Sequence, residues 1–350
     1  MLFKKHLINA LVGTALVAVP VTALTSCDFI YQDLEACPTG MQLRFVYDYN
    51  MEFANAFPSQ VDCLSLLIYD GEGRYVETRT VTDRDKLGDE NWRMHIDLPV
   101  GDYTFVAYGG MACNESSFSF VTTPTTGSQL TSLGVDLDKN LLTSPVGTRL
   151  HPLFYGRGEF SLTENKTLEI PEGTIYMMKD TNNVRILLQN TDGSPVDNRD
   201  FIFEITDNNT SFAWNNDLNP APTITYCPWT QGQETAGTNA DGSAVTLAYA
   251  EFSTSRFITD SDARLTIKRK DPALADGKET VLSIPLVEYL LLLRSQEFAS
   301  MSKQEFLDRE SRWDLILFLD ARTGGWYQVQ IVINGWIVRI NNIGDLHYQI

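Results

Sequence analysis

The sequence predicts a mainly β protein, two antiparallel β-sandwiches in tandem with one or two short helices in the second. Three observations carry this. Apolar and polar residues alternate with period two in many short runs, as in Leu43, Phe45, Tyr47 and Tyr49 against Arg44 and Asp48, which marks a half-buried strand. Turns built from Gly, Pro, Asp and Asn punctuate those runs at the spacing of a sandwich. The 350 residues, 43% of them hydrophobic, are too many for one ordinary domain and enough to fill two cores.

The N-terminus comes before the first strand. Lys4 and Lys5 precede an apolar stretch from Leu7 to Leu24, closed by Thr25, Ser26 and Cys27. A charged start, an apolar middle and a small-residue cut site make a secretory signal. The cysteine at the cut makes it similar to a bacterial lipobox, with cleavage between Ser26 and Cys27 and acylation of the Cys27 thiol. Residues 1–26 are then a lipoprotein signal peptide, and more than one acyl chain, at ~0.8 kcal/mol per buried methylene, holds the rest to a membrane. Two other readings stand beside it. A retained transmembrane helix is marginal against the ~20 residues a span needs, and it is interrupted by Asn9, Gly13 and Pro20. A plain signal peptide with an incidental Cys27 is the other.

Residues 27–40 read as a lipidated linker ending in Pro38-Thr39-Gly40, and residues 41–172 as the first sandwich. Met41–Tyr49 is its first strand. Asp62–Asp70 and Arg74–Thr82 form a hairpin about Gly71-Glu72-Gly73, and Trp92–Leu98 leads through Pro99-Val100-Gly101 into Tyr103–Tyr108. Thr122–Thr148, rich in Thr, Ser and Gly, reads as a long loop, followed by short apolar segments at His151–Gly156 and Glu159–Leu162. The pattern breaks at Ile170-Pro171-Glu172-Gly173, which sets the boundary to a second sandwich, residues 173–350. There Val184–Gln189 and Phe201–Thr206 are strands with an Asp192-Gly193 turn between them. Asp207–Gly242 is turn-rich, with Trp214 and Trp229 as satellite packing, and Ala263–Lys270 pairs with Thr280–Ile284. Pro285 opens an apolar helix to Phe298, and the capping box of Ser302 and Glu305 starts a second helix to about Glu310. Gln328–Ile333 and Trp336–Ile340 form a hairpin about Asn334-Gly335, with Trp313–Leu319 nearby.

The formal charge of -18 repels phosphate backbones, so no nucleic acid is expected as a partner. With Cys27 set aside for lipid, Cys37, Cys63, Cys113 and Cys227 remain, an even number with three connectivities for disulfides. Four free thiols packed as small hydrophobes fit equally well. The wide spacing, with no CxxC, suggests neither zinc nor a redox pair. No HExxH, GxSxG, phosphate loop or dinucleotide fingerprint occurs, and His6, His95, His151 and His347 are scattered. Asp136-Leu137-Asp138-Lys139-Asn140 begins like a calcium loop, but Leu141 stands where the sharp turn needs glycine. No catalytic residue, metal ligand or cofactor is assigned, and an enzyme is not expected.

Several segments resemble the FimB-type fimbrial anchor subunits of Bacteroidales: the lipobox, Leu43-Arg44-Phe45-Val46-Tyr47-Asp48-Tyr49-Asn50, Tyr69-Asp70-Gly71-Glu72-Gly73, the run Gly101–Gly110, and Gly335-Trp336-Ile337-Val338-Arg339-Ile340-Asn341-Asn342-Ile343. The likeness runs in order along nearly the whole chain. It implies two transthyretin-like β-sandwich domains and an outer-membrane lipoprotein that is the anchor, or base, subunit of a fimbrium, binding stalk or accessory subunits by strand-type contacts and limiting the length of the fimbrium. Strand exchange needs a spare donor segment, and only Gly344–Ile350 follows the last expected strand, so this chain caps or anchors without propagating. The 13 residues 28–40 between Cys27 and Met41 reach at most about 45–50 Å. The first strand is therefore part of the tether, and a cut after Arg44 would release the protein. The alternative is a surface adhesin or fimbrial tip lipoprotein binding glycan or host protein. It expects a groove in Thr122–Thr148 or Asp207–Gly242, with Trp214 and Trp229 exposed together.

Overall fold

A computed structural model describes residues 39–142, 147–164, 169–271 and 280–319, with the backbone of two more strands at 330–333 and 336–339. Ser26, Cys27 and Cys37, the Asn334-Gly335 turn and the tail Gly344–Ile350 lie outside the described residues.

The first half contains β1 (Met41–Val46), α1 (Phe57–Gln60), β2 (Leu64–Asp70), β3 (Tyr75–Val81), α2 (Arg84–Leu87), β4 (Met94–Ile96), β5 (Gly101–Gly109), β6 (Phe118–Phe120), β7 (Gly134–Leu137), β8 (Phe154–Leu162) and β9 (Glu172–Lys179). Seven of these strands make one sheet in the order β3-β2-β5-β8-β9-β1-β4. The sheet turns back on itself at β9, whose residues 172–176 run parallel to β1 while residues 177–179 pair antiparallel with β8. A strand that changes partners midway makes the corner of a sandwich. Leu43, Phe45, Leu66, Ile68, Phe105 and Ile175 fill the interior. Arg79 of β3 closes the open side by donating to the His95 carbonyl of β4 at 2.8 Å.

The β2–β3 hairpin forms as expected, and its turn has a local cause. The Asp70 carboxylate accepts the backbone N–H groups of Glu72 (3.0 Å) and Arg74 (2.9 Å), and Gly73 takes φ +74°. An aspartate fastening its own turn and a glycine free of a Cβ are what such a loop selects.

β2 and the second half of β5, from Phe105 onward, are buried on both faces. Leu67, Tyr69, Val106 and Tyr108 point away from the interior of the sandwich into a second cluster, under a cover that includes Phe118, Leu130 and Val135. Part of the expected long loop Thr122–Thr148 therefore forms a third layer carrying β7.

The second half contains β10 (Thr181–Asn190), β11 (Phe201–Asp207), β12 (Ser211–Ala213), β13 (Ile224–Tyr226), β14 (Thr230–Thr238), β15 (Ala244–Ser255), β16 (Arg264–Arg269), β17 (Thr280–Pro285), α3 (Leu286–Leu291), α4 (Lys303–Arg309), β18 (Arg312–Leu319), β19 (Gln330–Ile333) and β20 (Trp336–Arg339). Two four-stranded sheets, β14-β15-β10-β18 and β13-β11-β16-β17, contribute to one core, and β19 pairs with β20. β12 leaves this arrangement and pairs with β7, giving the three-stranded sheet β12-β7-β6. One hydrophobic cluster consequently runs from Leu67 and Tyr108 of the first half through Phe212 to Ile186, Phe252 and Leu315 of the second.

The mainly β class is as expected, with three differences inside it. Two pairings are parallel, β1 with β9 and β10 with β18; period-two alternation is the same for either direction, so the sequence is silent on it. The turn-rich region Asp207–Gly242 holds β12, β13 and β14, whose Gly, Thr and Gln content masks their strands. Among the described residues four short α-helices form, two of them in the first half. The apolar stretch after Pro285 ends as an α-helix at Leu291 and resumes as a single 3-10 turn at Gln296–Phe298, because Ser295 is extended. The second helix follows the expected cap, with Ser302 Oγ accepting the Glu305 N–H at 3.0 Å. β9 begins at Glu172, where the break in pattern falls, yet its hydrogen bonds run to β1 and β8; sheet membership changes at Asp180.

Candidate functional site, a cleft between the two halves

A cleft of about 740 Å³ opens where the halves meet. One wall is the segment after β1, including Tyr47, Asn50, Glu52, Asn55 and Gln60 of α1. A second is Arg309–Asp314, the end of α4 and the start of β18. The third combines Lys179 of β9, Asn183 and Arg185 of β10, Glu251 of β15, and Arg149 and Trp229.

The cations here are notable in a chain of net charge -18. Arg185 pairs with Glu251 at 3.4 Å and with Glu234. Arg149, Lys179 and Arg312 have no carboxylate partner among the described residues. Arg149 lies over the Trp229 ring, 5.3 Å from its centroid. Lys179 Nζ donates to Gln60 Oε1 at 3.4 Å and faces the Phe154 ring at 5.9 Å. Burial, reinforced by Arg149 and Arg312, lowers the Lys179 ammonium to about 8. The Trp229 indole N–H is shielded from solvent without a partner among the described residues. Burial also raises the Glu310 carboxyl.

Behind the cleft a polar network ties the halves. Arg256 grips Asp308 of α4 with two bonds of 2.7 Å and donates to the Asn216 carbonyl at 2.9 Å. The Asn216 amide in turn donates to Asp180 Oδ1 at 2.8 Å. Arg309, next along α4, stacks over Tyr49 (4.2 Å) and Phe53 (4.7 Å) and donates to the carbonyls of Asp48 and Asn50. Asp180 is wholly buried, and burial raises its carboxyl to about 7 despite Arg256 and the Asn216 bond.

Of the cysteines, Cys63 and Cys113 are joined in a disulfide with Cα atoms 5.5 Å apart, linking the entry of β2 to the segment beyond β5. Cys227 is a free thiol, partly buried, whose burial raises its pKa. Asp138 of the calcium-like run accepts from the Asn140 N–H and amide instead. No group of three or more His, Cys, Asp or Glu among the described residues could hold a metal ion. Trp229 lines the cleft, whereas Trp214 sits beneath Arg157, 4.8 Å from the guanidinium, packed against the shared core. Both are partly buried, and they form no common platform. Sequence reading missed the cleft because its walls come from residues up to 267 positions apart in the chain, from Tyr47 to Asp314, and cations scattered along an acidic sequence do not show that they meet.

No curated protein matches the chain. Among solved structures it is similar to a candidate adhesin of Bacteroides thetaiotaomicron VPI-5482, at 50% identity over 88% of this chain and 100% of that one, TM-score 0.80. A candidate polysaccharide-binding protein of the same organism is 31% identical over 87% and 99%, TM-score 0.74. The fimbrial anchor protein Mfa2 from Porphyromonas gingivalis shares the fold, at 15% identity over 87% and 99%, TM-score 0.62. The family model of the fimbrillin-A associated anchor proteins Mfa1 and Mfa2 matches residues 34–342. The resemblance to fimbrial anchor subunits is thereby borne out, and the chain belongs to the fimbrillin-A associated anchor protein family.

Proposed function

We propose that this fimbrium-associated surface protein is an outer-membrane lipoprotein, acylated at Cys27 after cleavage behind Ser26, that anchors a fimbrium and limits its length. On this reading its role is structural, and no catalytic activity is expected of it. The observation that best supports this is the position of β1. The strand begins 13 residues beyond the intervening cysteine-proximal segment's start at Asp28 and lies between β9 and β4, hydrogen bonded on both sides. Tension on a tether ending at Met41 acts along the strand and loads both ladders in shear, so many bonds resist together. Gly40 at the strand entry has φ +78°, and a Cβ there would meet the Ile96 carbonyl at 2.0 Å, so the tether enters through a position that suits glycine alone. Stalk or accessory subunits bind by strand-type contacts along an exposed sheet edge. β14 offers such an edge, since it ends its sheet and is largely exposed. We further propose a tandem organisation with residues 27–40 as the lipidated linker and two sandwiches beyond it.

The test compares wild type with Cys27→Ala in native outer membranes. Fimbrial subunits co-purifying with wild type, and fimbriae shed into the medium by the variant, are expected. Fimbriae retained on cells of the variant, with no pilin recovered from wild type, would refute the anchor role.

A further inference from the structure

We propose that the cleft between the halves is a binding site for a short acidic saccharide, its carboxylate held by Arg149, Lys179 and Arg312 and a sugar ring set against Trp229. The volume, about 740 Å³, lies in the range of small-ligand sites. Three cations without carboxylate partners among the described residues supply charge-assisted donors, which make the strong hydrogen bonds to a carboxylate. They lie together although the molecule as a whole is strongly acidic; the Glu310 carboxylate beside them acts on Lys179 and Arg312 at a distance, without forming an ion pair with either. Trp229 adds an aromatic surface and an indole N–H that is shielded and unpartnered among the described residues, a donor whose pairing with a ligand would recover the cost of leaving it unmade.

The rest of the lining selects the class of ligand. Asn50, Asn55 and Asn183 offer amides, and Glu52, Glu251 and Asp314 offer carboxylate acceptors. A ligand charged along its whole length, such as a polyphosphate, would meet those carboxylates at close range. A saccharide with a localised carboxylate and many hydroxyls donates to them instead. The site is independent of the anchor role, since neither Cys27 nor a sheet edge takes part.

The experiment is calorimetric titration of the full lipidated chain in detergent micelles with trigalacturonic acid. The neutral trisaccharide galactotriose, tripolyphosphate and a pentaglutamate peptide are the competitors and controls. Saturable binding in the millimolar range or tighter is expected, at least about tenfold stronger than for galactotriose. The exposed pair Arg149→Gln with Arg312→Gln should weaken it by about tenfold or more with an unchanged melting temperature. Trp229→Leu should weaken binding of both trisaccharides. Absence of saturable heat, or affinity unchanged in the arginine double variant, would overturn the proposal. Tripolyphosphate displacing the saccharide at equal concentration would make the site a general anion site and overturn it too. Displacement by pentaglutamate at lower concentration than the saccharide would assign the cleft to a peptide.

Discussion

Asp180 shows how one residue can couple the stability of this molecule to pH. It sits at the joint between β9 and β10, wholly buried, with one carboxylate oxygen on the Asn216 amide and the other without a partner. Burial raises it to about 7, and burial raises Asp207 to about 6. Both exceed the ordinary carboxylate value near 4, so between pH 4 and 7 the folded chain binds protons that the unfolded chain has released. Stability then falls as pH rises through that window, by on the order of a few kcal/mol, and this contribution is fully present only at the acid end. Melting curves from pH 4.5 to 8 should show the decline, against the background of the other carboxylates, and Asp180→Asn should flatten it by keeping a neutral amide beside Asn216. Equal slopes for wild type and variant would rule out Asp180 as the titrating group.

At the scale of elements, β12 joins the two halves. It has three residues, yet it takes its ladder partner from β7, more than seventy positions earlier, and places Phe212 in the shared core with its ring 6.3 Å from that of Phe118. Phe212→Ala should cost about 3–5 kcal/mol, read as a lower urea midpoint; a loss below about 1 kcal/mol would mean that the joint does not depend on this strand. The contribution of β12 was hidden in the sequence for the reason that makes it useful. Ser211-Phe212-Ala213 is too short for alternation to register, and strand partners are set by the folded arrangement of distant segments. β2, β5, the hairpin at Gly71-Glu72-Gly73 and the Ser302 cap were legible because local forces dictate them: Asp70 and Ser302 satisfy backbone donors a few residues away. The cleft was not, since Lys179, Arg312 and Trp229 acquire a common environment only through tertiary contact. The double burial of β2 was partly legible in Cys63-Leu64-Ser65-Leu66-Leu67-Ile68-Tyr69, whose nearly continuous apolar run departs from clean alternation.

At the scale of the whole molecule, the two halves are built to unfold as one body. Two sandwiches on a flexible linker would unfold separately; in this chain the interior of the first half is a cluster of its own, but the outer face of β2 and β5 packs into a second cluster. Here the core cluster crosses the joint without interruption, the β12-β7-β6 sheet draws strands from both sides, and α4 reaches back through Arg309 to the carbonyls of Asp48 and Asn50. Opening either half would expose apolar surface belonging to the other, so the partly unfolded states lose the contacts that would make them populated. Calorimetry of the full chain should therefore give a single transition, with a van't Hoff enthalpy close to the calorimetric one. Two resolved transitions, or a ratio near one half, would show that the halves melt independently. On the proposed anchor role the distinction matters, since tension entering at β1 and leaving along an edge such as β14 would cross this joint, which the shared core cluster holds closed.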